Sequence, residues 1–134
     1  MLTIRREQMA ALGERRSKDF ERFMLRHLRE CFPRALDALG DGDALVLIHD
    51  TLERARRYDL RSEADGCRFL NLAASFGWDF ELRPERAWML AMLRDPDVSS
   101  PSQRLRILVD ECVHRARIES HNRSLRAAFG VSGP

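Results

Sequence analysis

His49 and Asp50 stand side by side in the chain, with His27 upstream and Asp110 downstream. Imidazoles and carboxylates in that order could hold a divalent metal and activate water for phosphoester hydrolysis. Two further sets have ligand-type side chains. His27 and Cys31 are four apart, on one face of any helix that carries them, and Cys112 and His114 lie close together near the other end of the chain. Four such ligands could make a zinc site, but neither pair has the tight two-residue spacing of zinc-binding cysteines. A thiol–imidazole pair at Cys112 and His114 is weaker still, because residues two apart on a helix point in different directions.

Each set has a plainer explanation. His49 and Asp50 fall on the polar flank of an amphipathic pattern. With four histidines and 21 acidic residues in 134, an ordered His, His-Asp, Asp series arises readily. Cys31 and Cys112 fall in apolar stripes, where a thiol behaves as a small buried hydrophobe. Three widely spaced cysteines do not make a disulfide framework; they suit reduced thiols in a cytosolic protein. There is no glycine-rich phosphate loop, nucleophile elbow or paired-carboxylate motif. The expectation is a non-enzymatic protein with no catalytic residue, no metal and no cofactor. A metal-dependent HD-type phosphohydrolase is the enzymatic alternative.

The elements that would position these residues are helical. Nowhere does hydrophobicity alternate with period two, so the pattern gives no strands. Thr3 can cap a first helix running from about Ile4 to Phe32, with Phe20, Phe23, Met24, Leu28, Cys31 and Phe32 along one face and Pro33 as its stop. Met9 and Leu12 continue the stripe weakly past Gly13, so residues 1–16 read as a possible extended arm. A short helix is expected over Pro33–Leu39. After the Asp41-Gly42-Asp43 turn, Asp43 is placed as N-cap of a helix from Ala44 to about Tyr58. Ser62-Glu63-Ala64-Asp65 starts a third helix, with Phe69, Leu70, Ala73 and Phe76 inward and Gly77 as its stop. Pro84 opens a fourth, reaching about Leu93. Ser100-Pro101-Ser102-Gln103 is the strongest start signal, for a last helix to about Ala128 with Leu105, Leu108, Val109, Cys112 and Ala116 inward. Residues 130–134 read as a flexible tail. The expected architecture is all-α: one domain over residues 1–134, a single bundle of about five or six helices with long first and last members.

Composition narrows the function classes. The chain is 44% hydrophobic and 33% charged, enough apolar content for a core. Net charge is only +2, which argues against general nucleic-acid binding. No apolar run approaches the ~18 residues of a membrane span, and residues 1–12 hold no apolar core of a secretory signal. Of the 23 basic residues all but Lys18 are arginine, which pairs in planar fashion with carboxylates and stacks on aromatics. Signs alternate in blocks. Residues 35–53 carry Asp37, Asp41, Asp43, Asp50 and Glu53 and no Lys or Arg. Arg54, Arg56, Arg57 and Arg61 follow, and Arg115, Arg117, Arg123 and Arg126 cluster near the end. Such blocks suit protein surfaces more than a nucleic-acid face. Phe76-Gly77-Trp78-Asp79-Phe80 puts three aromatics beside a helix stop, either as a core plug or as an interface anchor.

Several segments in order resemble a family of small helical bacterial proteins encoded beside type VI secretion genes, near spike-tip and toxin genes. They are Ile4–Met9, Met24–Pro33, Arg54–Glu63 and Phe76–Phe80, and the resemblance spans about residues 4–95. It implies an accessory role, an adaptor or chaperone in loading a toxin on the injection apparatus, and carries no catalytic residue. An immunity protein against a neighbouring toxin is the other reading. The expected partner is a secreted effector or spike-tip protein, with no nucleic acid and no membrane insertion, in the cytoplasm. Partner contacts are assigned to Ile4, Arg5, Arg6, Met9 and Leu12 of the arm and to Trp78 and Phe80 of the aromatic loop. An amphipathic arm that does not fill its own core can lie in a partner's groove with arginines at the rim. Deleting residues 1–12 is expected to leave the melting temperature unchanged while abolishing partner capture; a markedly lower melting temperature would assign the arm to the core.

Overall fold

The computed structural model describes residues 6–129, with side chains from residue 16 onward. Among these the chain is all-α and without strands. Five helices follow in order: α1 (Arg6–Cys31), α2 (Asp41–Arg56), α3 (Glu63–Phe76), α4 (Ala87–Leu93) and α5 (Pro101–Ala128). Two 3-10 turns, Phe80–Leu82 and Pro84–Arg86, join α3 to α4. No helix among the described residues is long and apolar enough to cross a membrane.

Local chemistry sets most of these boundaries. Ser62 caps α3, its hydroxyl accepting from the Asp65 amide at 3.1 Å. Gly77 ends the helix at φ 120°, a conformation that costs a residue with a Cβ. Ser100 caps α5 in the same way through the Gln103 amide, with Pro101 in the first turn. Backbone helix is continuous through Gly13 in α1. The readings of Ile4, Arg5 and the 130–134 tail lie outside the described residues, as do the side chains of Arg6, Met9 and Leu12.

Three expected boundaries are corrected. Pro33–Leu39 is a series of turns and not a helix. Single turns close there, Ala35 N–H to Phe32 O and Leu39 N–H to Leu36 O. The Arg29 guanidinium takes the carbonyls of Leu36 and Leu39 at 3.2 and 2.9 Å and the Asp41 carboxylate at 2.8 Å. Second, α2 begins at Asp41 with Gly40 as its N-cap, so Asp43 lies inside the first turn, where its charge suits the helix dipole. Third, the Pro84 segment opens as a 3-10 turn before α4 starts at Ala87.

α3 is the hub. It packs against α1, α2, α5 and the first 3-10 turn. One core cluster joins Met24, Leu25 and Leu28 of α1, Leu36 of the turn segment and Ala44 and Ile48 of α2 to Leu70 of α3. The other joins Phe69, Leu72 and Ala73 of α3 to Phe80, Met89, Leu93, Leu105, Leu108 and Cys112. A helix apolar on both sides is what a central position requires. Gly66 permits the close approach of α2 to α3: a Cβ there would stand 3.0 Å from Leu52 Cδ2.

Two buried carboxylates join elements that are far apart in the chain. Glu81, with a fully buried side chain, accepts from Arg54 Nε at 3.1 and 2.9 Å and from the Tyr58 hydroxyl at 2.8 Å. Arg54 also donates to the Trp78 carbonyl and lies over the Phe69 ring, 5.5 Å from its centroid. Burial, reinforced by the bond to Glu81, pushes the Tyr58 phenol up to about 12. Asp65 in turn accepts from Arg68 and from the Ser102 hydroxyl, joining the start of α3 to the start of α5. Removing one partner of a buried ion pair leaves the other uncompensated. Glu81→Ala is therefore expected to lower the unfolding free energy by about 3 kcal/mol or more, read from the urea midpoint. A loss below about 1 kcal/mol, the size of a surface pair, would show that the pair does not hold the loop.

Candidate functional surface

The aromatic segment proves to be interior furniture. Phe80 is fully buried, its ring 5.1 Å from that of Phe69. Its assignment to a partner surface is corrected on that ground: it has no exposed atom to offer without opening the core. Trp78 is half-buried, packs against both core clusters and donates its indole N–H to the Ala35 carbonyl at 3.3 Å. It braces the Phe32–Gly40 turns against the loop, so the plug reading describes its place.

The ligand-type residues do not gather into one site, although His27 Nδ1 lies 3.8 Å from Cys31 Sγ. His49 is exposed on α2 and bonds through Nδ1 to Glu21 of α1 at 2.6 Å. His27, on α1, bonds instead to Asn71 of α3. Asp50 and Asp110 are exposed on α2 and α5. Among the described residues no group of three or more His, Cys, Asp or Glu is placed to hold a metal ion. The cysteines are all free thiols. Cys112 is buried, which pushes its thiol up to about 11. Cys31, expected in the core, is exposed: Phe32 and Leu36 complete that end of the cluster, leaving Cys31 outside.

A cleft of about 580 Å³ lies where α1, α2 and the start of α3 meet. Phe20, Leu52, Leu60 and Gly66 line it together with Arg16, Lys18, Arg56 and Arg61, and with Glu21, Glu53 and Glu63. Both charge signs are interleaved around an apolar floor, so the cleft presents no single-sign field to a ligand.

The most distinctive surface is the outer part of α5. The last buried residue of the helix is Cys112; every residue from Val113 to Phe129 is exposed. At 1.5 Å per residue this is about 25 Å of helix beyond the core stripe. Its charged residues are Arg115, Arg117, Arg123 and Arg126 against a single Glu119. Ile118, Leu125 and Phe129, spaced seven and four, share one face at 47%, 42% and 77% exposure. At the base, the Arg115 guanidinium stacks 3.6 Å from the Trp88 ring centroid, fixing this stretch to α4. Beside the base an apolar groove of about 320 Å³ runs between α3 and α5, floored by Leu72, Phe76, Val109 and Val113 and rimmed by Arg68, Asn71 and Ser75. The sequence marks this stretch by its arginine cluster, Arg115, Arg117, Arg123 and Arg126. The signal was present in the seven-and-four spacing of Ile118, Leu125 and Phe129 with arginines between.

Comparison with protein-family models, with curated proteins and with solved structures found no match to this chain in any of the three.

The Glu21 carboxylate, by its hydrogen bond, holds the His49 imidazole above its ordinary pKa of 6.5. Stabilisation from this contact is therefore complete below the unfolded pKa and is lost as pH rises through the higher folded one. An NMR titration is expected to give His49 a midpoint above 6.5, returning toward that value in Glu21→Gln. Equal midpoints in the two proteins would contradict the pairing.

Proposed function

We propose that this chain is a non-enzymatic, adaptor- or chaperone-like accessory that binds a bacterial type VI secretion effector or spike-tip protein. In this reading the chain is a single helical bundle with long first and last helices, the last of which is the docking element. The observation that carries the binding role is the outer half of α5. Ile118, Leu125 and Phe129 lie along one side of an otherwise charged helix that no other described element covers. Apolar residues at helical spacing, edged by arginine, suit helix-in-groove recognition, in which the apolar side chains anchor and the charges orient. The link to secretion rests on the resemblance over residues 4–95, and the arm residues Ile4, Arg5, Arg6, Met9 and Leu12 remain part of the proposed contact. Phe80 is not part of it, and Trp78 enters only as a brace for the body.

Four arginines on the outer half of α5 favour a partner groove rimmed by carboxylates. Leu125 and Phe129 are exposed, so the fold does not depend on their side chains. Leu125→Asp combined with Phe129→Asp is expected to change the unfolding free energy by no more than about 0.5 kcal/mol, as for surface positions. The same pair is expected to weaken capture of the co-encoded toxin or spike-tip protein by about 2 kcal/mol or more, the hot-spot range. Capture is read by pull-down from the native host. Unchanged capture would remove α5 from the interface. Protection of cells from the toxin without any association with the apparatus would replace the adaptor reading by an immunity role.

A further inference from the structure

We propose that Cys31 is a modification site for low-molecular-weight disulfides, with His27 as its proton acceptor and Asn71 positioning the imidazole. Four side chains from α1 and α3 form a connected series. Cys31 Sγ lies 3.8 Å from His27 Nδ1. On the other side of the ring, His27 Nε2 is 3.1 Å from Asn71 Oδ1. The Asn71 amide nitrogen in turn donates to Cys67 Sγ at 3.8 Å. With its NH2 group turned to the Cys67 sulfur, Asn71 presents its carbonyl to the imidazole. In the tautomer with the proton on Nε2, the ring donates to Asn71 Oδ1 and its Nδ1 lone pair faces the Cys31 thiol. This is the order of parts that activates a thiol: nucleophile, base, and a third group that fixes the tautomer. The edge-on contact between His27 and Phe32, 6.5 Å between ring centroids, restrains the ring further.

The place in the fold makes the thiol accessible. Cys31 is the last residue of α1 and is exposed, so a small disulfide can reach its sulfur. Neither other thiol has both access and a base. Burial pushes Cys67 up, and Cys112 lies in the core with its thiol at about 11.

The step is thiol–disulfide exchange. His27 Nδ1 takes the thiol proton and the Cys31 sulfur attacks one sulfur of the disulfide. A new S–S bond forms as the old one breaks. The departing sulfur leaves as a thiolate and takes the proton back from the imidazolium. The small disulfide is the oxidant, and it yields one mixed disulfide and one free thiol.

The test incubates the full chain with glutathione disulfide and follows each cysteine by peptide mass. At neutral pH, Cys31 in the folded chain is expected to react about tenfold faster than Cys67 or Cys112, and faster than Cys31 in the urea-unfolded chain. His27→Gln and Asn71→Ala are expected to slow Cys31 severalfold at neutral pH and to converge on the wild-type rate above about pH 10, where an exposed thiol ionises unaided. A mere loss of access would slow the reaction at both pH values. A folded-chain rate equal to or below the unfolded-chain rate, or a His27→Gln rate unchanged at neutral pH, overturns the proposal. The comparison of folded with unfolded wild type decides it even where a variant fails to fold.

Discussion

A carboxylate with no access to water has to be paired, and Glu81 is paired three times over, by two contacts from Arg54 and one from Tyr58. The path from α3 to α4 depends on this. The loop after Gly77 carries Phe80 into one core cluster and Trp78 to the boundary of both. Its 3-10 geometry supplies too few backbone bonds of its own to hold it there. Arg54 closes the arrangement by serving Glu81 and the Trp78 carbonyl together while covering the Phe69 ring. Buried ion pairs add little net stability compared with apolar replacements, but removing one partner leaves the other charge uncompensated in the interior.

Closure of the body in this way explains what is left outside it. The two core clusters meet at α3 and use α5 only as far as Cys112. Asp65 and Ser102 anchor the start of α5, and Arg115 on Trp88 anchors its middle. The remainder of the helix adds arginines and three spaced apolar side chains to the surface without adding to the core. A stretch with few buried contacts belongs to the low end of local stability within a protein, where binding elements are drawn from. The binding role proposed for α5 follows from this division of labour.

What could be read from sequence were the features with local causes. The Ser62 and Ser100 caps, the Gly77 stop and the inward positions Phe69, Leu70, Ala73, Leu105 and Leu108 follow from residue type and spacing within a turn or two, and the structure has them so. What could not be read depended on partners far along the chain. Nothing around Glu81 announces that Arg54 and Tyr58, 27 and 23 residues earlier, will bury it. Pro33–Leu39 has the composition of a short helix, yet Arg29 claims its carbonyls. Phe23 fits an apolar stripe by spacing but is 52% exposed, because the buried face of α1 is centred on Met24, Leu25 and Leu28. The candidate surface is hidden for the converse reason: apolar periodicity marks a core, and in α5 it continues past the point where the core ends.

Hydrogen exchange along α5 tests the division between body and docking element most directly. In the free chain, amides of residues 101–112 are expected to exchange slowly and those of 113–129 fast. Added toxin or spike-tip protein is expected to slow exchange in 113–129. Uniformly slow exchange along the whole of α5 in the free chain, or no slowing of 113–129 in the complex, would contradict the account.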